Sequence, residues 1–342
     1  MNPKLIKGIF LQFSAIVGAG IFALPYLFYH SNFNSSIFFL ICFTLVTGIL
    51  NYFYIDVILH TSGDHQFSGY IQKHLGDKFK IWGLISIFLI SCGAIFAYLK
   101  LAGIFLTILI PSLSPLLAIL IFLFILTLVN LLRLKPSGIY FEILPLITLI
   151  LILFIFYNSF YFSNPINNNI FSFNLDFFGV LIFSLSGFTV IPEIEELFRG
   201  SSNKKSLLKI SSTIGLILAS IIYIIFTYSI IKISGLKLSP DAVSGIIHSY
   251  PFLGKILAVL GLIVIFKASL NYILVLKEIF YRDLNFKKNT SYTLSFLIPF
   301  AVLFLLKVSF VNIISLTGSI AIGLSYIFIC LMRFKLPHNF KN

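Results

Sequence analysis

Three small residues, Gly18, Ala19 and Gly20, stand in the middle of the apolar stretch FSAIVGAGIFALPYLF, Phe13 to Phe28, and Pro25 follows them. A second stretch, FSLSGFTVIPEIEELF, Phe183 to Phe198, repeats the pattern: Ser184, Ser186 and Gly187 lie mid-run, followed by Phe188 and Pro192. In a helix interior, glycine costs about 1 kcal/mol relative to alanine and proline about 3 kcal/mol. Each stretch therefore predicts a helix that unwinds partway. Unwinding frees backbone groups for ligand chemistry. Amides at the start of one half-helix can hold a carboxylate, and carbonyls at the end of another can hold a cation. Gly18 and Gly20 would also suit plain close helix packing, a reading that fits one break better than two matched breaks, each followed by a proline. The third residue able to do chemistry is Lys267, in LIVIFKASLNYIL near the centre of another apolar run. A lysine at such depth costs about 3 kcal/mol unless it is paired, hydrated or neutral. It lies ~20 Å from either end of the run, too deep to reach water by extending its stem.

The elements that position these residues follow from composition. The chain has 342 residues, 59% hydrophobic and 10% charged, with a mean hydropathy of +1.05. A soluble domain is about half apolar and a quarter charged, so this is an integral membrane protein. The net charge of +13 does not point to nucleic acid, because the basic residues are dispersed between apolar runs. Cys42, Cys92 and Cys330 each lie inside an apolar run without a CxxC pair or histidine cluster, which argues against disulfides and metal sites. No cleavable signal pattern is present.

About 20 apolar residues cross the hydrocarbon. Ten such runs are expected, at roughly 5–30, 36–60, 81–110, 115–132, 138–160, 176–199, 207–232, 253–282, 291–308 and 311–332. The alternating ten-residue segments of a membrane β-barrel are lacking. With the N-terminus in the cytoplasm, 18 Lys and Arg fall at inner ends and loops, against Lys232, Lys237, Lys255 and Lys307 outside, with Lys100 and Lys267 inside spans. Both termini are thus expected in the cytoplasm, and the outer loop Ser159 to Asn174 carries no basic residue. Thr61 to Lys80 predicts a short amphipathic helix under the membrane. Leu238 to Gly254 predicts another short helix, started by Ser239, Pro240 and Asp241. The two interrupted runs are the first and the sixth of ten, and paired breaks in corresponding spans of two halves point to a binding site built from discontinuous helices.

Several motifs carry a family resemblance. VGAGIFALPY resembles the first helix of amino-acid permeases of the amino acid–polyamine–organocation superfamily. FSLSGFTVIPEIEE resembles the sixth helix of the amino acid/auxin permease branch, where a Gly-Phe pair precedes Ile-Pro-Glu. SGYIQKHLGDKFK is similar to that branch's loop after helix two, CGAIFAYLKLAG to its third helix and SLTGSIAIGL to its tenth. The similarity runs in order along essentially the whole chain. It implies an all-α integral membrane protein with the leucine-transporter fold. That fold has ten transmembrane helices in a 5+5 inverted repeat, with helices 1 and 6 discontinuous. Residues 1–342 would form a single transporter domain, the first repeat about 5–160 and the second about 176–332. The branch usually has an eleventh helix, which is not expected here.

Carried onto this chain, the resemblance implies that the amides of Val17, Gly18, Ala19 and Gly20 receive a substrate carboxylate, with the Tyr98 hydroxyl beside them or packing only. The carbonyls of Phe183, Ser184 and Ser186, next to Gly187, would receive an amine, and Phe183 would form an aromatic lid. Pro25, Phe188, Pro192 and Glu193 would act in gating or structure. Glu193 begins the second half-helix, as a cap, an ion pair or a proton carrier. In related sodium-coupled transporters, paired hydroxyls on helix eight complete a sodium site; Lys267 and Ala268 fall on those positions, with Ser269 the nearest remaining hydroxyl. The Lys267 ammonium is expected to replace sodium against helix-one carbonyls near Ser14 and Val17, and a buried amine can also exchange a proton each cycle. Lys100 is expected near the outer vestibule, and Asp56 and Glu142 at solvated inner ends or in ion pairs.

The expected function is secondary transport of amino acids, neutral or hydrophobic ones first, by alternating access across the cell membrane. It would be independent of sodium, with proton coupling and exchange both open. An amino-acid-binding membrane nutrient sensor and a transporter of another small amine are the competing readings. The expected partners are the amino acid, the lipid bilayer and protons, with no cofactor, metal or nucleic acid. An enzyme is not expected: no paired aspartates, Ser/His dyad or histidine cluster lies within the runs. A channel would need a ring of ligands rather than one occluded site.

Overall fold

The computed structural model describes residues 3–131, 139–166, 175–302 and 308–336. Lys307, residues 167–174 of the loop expected outside and the Glu142 side chain, all of which carried expectations, lie outside what is described.

All regular structure among the described residues is helical. The first apolar run forms α1 (Pro3–Ile16) and α2 (Gly20–Ser31), which meet at 57° across Val17–Ala19. Pro25 sits inside α2 and leaves the Ile21 carbonyl without its helical donor. Asn32 then caps α3 (Phe33–Leu59) by accepting from the Ser35 amide at 2.9 Å. Next come α4 (Phe67–Leu75), α5 (Asp77–Leu109), α6 (Pro115–Leu131) and α7 (Ile139–Ser159). The second half opens with α8 (Leu175–Leu185). Its chain unwinds at Ser186 and Gly187, makes one tight turn over Phe188–Val190, and resumes as α9 (Ile191–Leu197). Pro192 lies in the first turn of α9, where its fixed φ and missing amide hydrogen cost nothing. The chain continues through α10 (Lys204–Ser234), α11 (Ser244–Ile247), α12 (Pro251–Glu278) and α13 (Lys288–Val302). It closes with α14 (Phe310–Leu316) and α15 (Gly323–Lys335), joined by a widened turn at Thr317–Ile322.

Six of these helical stretches are long and apolar enough to cross a membrane: Phe33–Leu59, Asp77–Leu109, Leu175–Leu197, Lys204–Lys237, Pro251–Asp283 and Phe310–Lys335. The bent α1–α2 pair qualifies if taken as one span, and Pro115–Asn130 and Ile143–Ser159 are shorter apolar helices.

The short segment after α3 forms the expected helix, α4, and its apolar residues Phe67, Tyr70 and Ile71 are buried against protein. The reason is a carboxylate. Asp283, just past α12, accepts from the amides of Gln66 (3.1 Å) and Gly69 (2.9 Å) and from the Ser68 hydroxyl, so the positive end of α4 is fastened to the end of α12. In the segment between α10 and α12, Asp241 accepts from the amides of Val243 (2.9 Å) and Ser244 (2.8 Å) and so starts α11, a single turn.

The two interrupted helices run antiparallel, with α2 along α8 and α1 along α9. The widened turn Thr317–Ile322 lies against α8. A Cβ at Gly318 would collide with the Gly179 carbonyl and lie 2.9 Å from the Phe183 amide nitrogen. There, backbone touches backbone. At Gly48 in α3 an added Cβ meets Leu216 at an ordinary 3.7 Å. Gly318→Ala should therefore cost about 1–3 kcal/mol by overpacking, whereas Gly48→Ala should be neutral or gain up to about 1 kcal/mol from helix propensity. Thermal melting of the two purified variants in detergent checks the contrast; equal midpoints would refute the backbone contact.

Candidate functional site

At the first break, the Val17 amide is the last to reach back into α1, bonding to the Phe13 carbonyl at 2.9 Å. The Gly18 and Ala19 amides donate to no acceptor among the described residues, although both residues are buried. The chain recovers when Ile21 and Phe22 bond back to the carbonyls of Gly18 (3.4 Å) and Ala19 (3.1 Å). Glycine at 18 is required by a neighbour: a Cβ there would lie 2.8 Å from the Tyr98 hydroxyl. Glycine at 20 is required by Ser184, whose Cβ would be 2.7 Å away. The structure thus brings together Val17–Gly20, Tyr98 on α5 and Ser184 at the second break.

At the second break, three of the freed carbonyls, those of Phe183, Ser184 and Gly187, have a donor. The Ser186 amide donates to the Phe183 carbonyl at 3.3 Å. The Gln12 side-chain amide, from α1, donates to the Gly187 carbonyl at 3.2 Å. Tyr223, on α10, holds both breaks at once: its hydroxyl lies 2.8 Å from the Ile16 carbonyl and 2.8 Å from the Ser184 carbonyl. One phenolic hydrogen is therefore shared between two acceptors, a three-centre bond. Two buried polar atoms here have no partner among the described residues, Ser184 Oγ and Gln12 Oε1.

Lys267 reaches the same centre from α12. Its Nζ donates to Ser14 Oγ at 2.7 Å, and only 2% of the residue is exposed. No carboxylate lies within ion-pair distance among the described residues. Ser14 lies in the last turn of α1, the end that a helix's unpaired carbonyls make negative. The other side of the lysine lines a cavity of about 470 Å³ between α5, α6 and α12, walled by Leu106, Phe122, Phe266 and Leu270, with Asn130 as its polar member. Ser269 is not brought to the break. Its hydroxyl is turned to the Ile265 carbonyl of its own helix, at 2.7 Å.

Below the second break, Phe188 is enclosed by rings: Phe67 at 5.1 Å, Tyr326 at 5.8 Å and Tyr54 at 5.9 Å between centroids. Beyond it, charges tie α9 to its neighbours. Arg282 donates to Glu196 at 2.7 Å and pairs with Glu278 at 2.6 Å, Glu195 pairs with Lys204, and Arg199 pairs with Asp64. Glu193 has no hydrogen bond or ion pair among the described residues and lies in the field of Glu278, Glu196, Arg282 and Lys277. Asp56 pairs with Arg333 (3.3 Å) and Lys209 (3.8 Å). Lys100 lines a cavity of about 510 Å³ with Thr107, Pro115 and Ser244, where α5 ends and α6 begins.

Solved transporters share this arrangement of helices. MhsT in complex with L-phenylalanine superposes with a TM-score of 0.68 over 97% of this chain and 88% of its own, at 15% identity. Mhp1, a nucleobase-cation-symport-1 family transporter in a closed conformation with bromovinylhydantoin bound, gives 0.68 over 95% of this chain and 77% of its own, at 14% identity. Inward-facing Mhp1 gives 0.64 over 96% and 75%, at 12% identity. These likenesses show the leucine-transporter type of fold. No curated protein matches the chain. Residues 1–342 match the tryptophan/tyrosine permease family. The chain belongs to that family. It is a multi-pass membrane permease and not an enzyme.

Two residues of this permease's centre were missed by sequence reasoning. Gln12 carried a signal, being a lone amide inside an apolar run where an unpaired polar group is expensive. Tyr223 carried none, as one of 16 tyrosines in the chain. Removing its hydroxyl leaves two buried carbonyls short of a donor, so Tyr223→Phe should cost about 1–3 kcal/mol. The Tyr54 hydroxyl is buried without a partner among the described residues, so Tyr54→Phe should be neutral or slightly stabilising. Denaturation midpoints of the two variants decide; a Tyr223→Phe midpoint equal to wild type would remove the bridge from the account.

Proposed function

We propose that this permease carries an aromatic or other large neutral amino acid across the cell membrane by alternating access, without sodium. The observation that carries the reading is the meeting of two interrupted helices around the unpaired Gly18 and Ala19 amides. The family to which the chain belongs and the phenylalanine held by MhsT point to the substrate class. In this reading the spans are ten: α1 with α2, α3, α5, α6 and α7 in the first repeat, about 5–160, then α8 with α9, α10, α12, α13 and α14 with α15 in the second, about 176–332. The motif resemblance to the amino acid/auxin permease branch and the distribution of lysine and arginine support this count, one domain, and cytoplasmic termini.

The substrate carboxylate is received by the amides of the Val17–Gly20 segment, with the Tyr98 hydroxyl beside Gly18. The α-amine is received by carbonyls around Phe183, Ser184 and Ser186. Those of Phe183 and Ser184 already accept one hydrogen bond each, and a carbonyl oxygen has a second lone pair to offer. Phe22, in contact with Phe105 at 5.1 Å and Phe226 at 5.6 Å, supplies ring faces and edges for an aromatic side chain next to the break. The Lys267 ammonium supplies, at the C-terminal end of α1, the positive charge that sodium supplies in coupled relatives.

A thermal-shift screen tests the substrate. Tryptophan, tyrosine or phenylalanine at about 100 times its dissociation constant should add about 2.7 kcal/mol of stability, while alanine and lysine should not. Shifts with none of the amino acids would overturn the substrate reading and favour another small amine. For the cation, uptake into proteoliposomes should be unchanged when choline replaces sodium and should be lost or altered in Lys267→Ser. Sodium-stimulated uptake by wild type, or unchanged uptake and pH dependence in the variant, would refute the role given to Lys267. Uptake driven by a pH gradient marks proton symport; uptake only against preloaded internal amino acid marks exchange.

A further inference from the structure

A cleft of about 680 Å³ opens between α3 and the start of α10, far from the two breaks. Its wall is largely apolar, with Ile210, Ile214 and the stems of the lysines, and carries the polar groups of Lys205, Lys209, Ser206, Asn203, Thr213 and Tyr52. Lys209 Nζ lies 4.9 Å above the Tyr52 ring, and the Tyr52 hydroxyl is 2.6 Å from Thr213 Oγ1. Lys205, Lys209 and Arg333 all converge on one carboxylate, Asp56, at 4.0, 3.8 and 3.3 Å. Three cations around one anion leave two positive charges in excess. The first turn of α10 lines the same cleft through Asn203, Lys205 and Ser206, its amides are not capped by the Asn203 side chain, and the partial positive charge of this helix start adds to the excess.

An apolar track continues from the cleft. Ile210, Ile214, Ile217 and Ile221 on α10 are exposed at helical spacing, and Ile49, Val46 and Leu45 are exposed on α3. The two helices are joined along this seam by Asn51–Ser212 at 3.3 Å and Thr44–Ser220 at 2.8 Å. A cationic, hydroxyl-lined end leading into an apolar track on the lipid face matches one chemistry, an anionic headgroup carrying acyl chains. We propose that this cleft binds an acidic phospholipid of the leaflet at the N-terminal end of α10. Lys205, Lys209 and the α10 amides would hold its phosphate, and its chains would lie along the α3–α10 seam.

The test titrates the purified full chain with short-chain phosphatidylglycerol, phosphatidylcholine or inorganic phosphate, reading bound lipid by native mass spectrometry and the thermal midpoint alongside. Each surface lysine contributes enough that Lys205→Gln should weaken phosphatidylglycerol binding roughly fivefold, and Lys205→Gln with Lys209→Gln roughly thirtyfold. The charge-matched control, Lys287→Gln with Lys288→Gln at exposed sites past α12, should leave binding unchanged. Lys205 has 58% of its side chain exposed, so its replacement leaves the fold intact, and equal midpoints in phosphatidylcholine verify this. Unchanged affinity in the double variant, or an equal loss in the control, would overturn the site. A midpoint shift with inorganic phosphate equal to that with phosphatidylglycerol would overturn the lipid and leave a small-anion site.

Discussion

A backbone amide or carbonyl in hydrocarbon has no water to turn to, so a helix that opens there must find its partners in the protein. Much of this structure follows from that constraint. The second break uses Gln12 from α1 and Tyr223 from α10 to cover the Gly187 and Ser184 carbonyls. The first break shares Tyr223 through the Ile16 carbonyl. These donors reach only if α1, α8 and α10 approach closely, and the approach in turn demands glycine where it is tightest, at Gly20 against Ser184 and at Gly187 against Ile16 and Gln12. The breaks and the small residues around them are one requirement met twice. What the protein leaves uncovered, the Gly18 and Ala19 amides, is what a ligand can cover.

Charge obeys the same constraint. A buried lysine without a carboxylate is costly in a low-dielectric interior, yet Lys267 is 2% exposed and bonded to Ser14. What it has is one hydroxyl in the last turn of α1. A helix that stops mid-membrane keeps a negative partial charge on its final carbonyls, which favours a cation nearby, so the proposed role of Lys267 depends on the break in α1.

The fold was largely legible in the sequence because the bilayer imposes long apolar runs, and proline and glycine mark where they stop. The Gly18–Gly20 and Ser186–Gly187 interruptions, the Pro192 restart and the Asp241 turn all follow from local chemistry. Lys267 was legible because a charge in an apolar run stands out. What could not be read was anything decided by which helix faces which. Tyr223 bonds across 207 positions to Ile16, and no local pattern distinguishes it from the tyrosines that only pack. Ser269 looked like a neighbour of the lysine, but a serine in a helix can satisfy itself on the preceding turn, and its hydroxyl does so. The segment around α4 has an amphipathic pattern that suits either a bilayer surface or a protein groove; Asp283, more than 200 residues away, decides for the groove.

The Tyr223 hydroxyl has one hydrogen and two carbonyls within equal reach, one from each interrupted helix. Such a group behaves as a two-position latch. If either helix swings away, the hydrogen can pass wholly to the other, and only one carbonyl is bared at any moment. Motion of one half against the other would then cost a fraction of a hydrogen bond at this point rather than two whole ones. Under the proposed alternating access, a single phenol so placed would lower the barrier between arrangements while holding each of them closed.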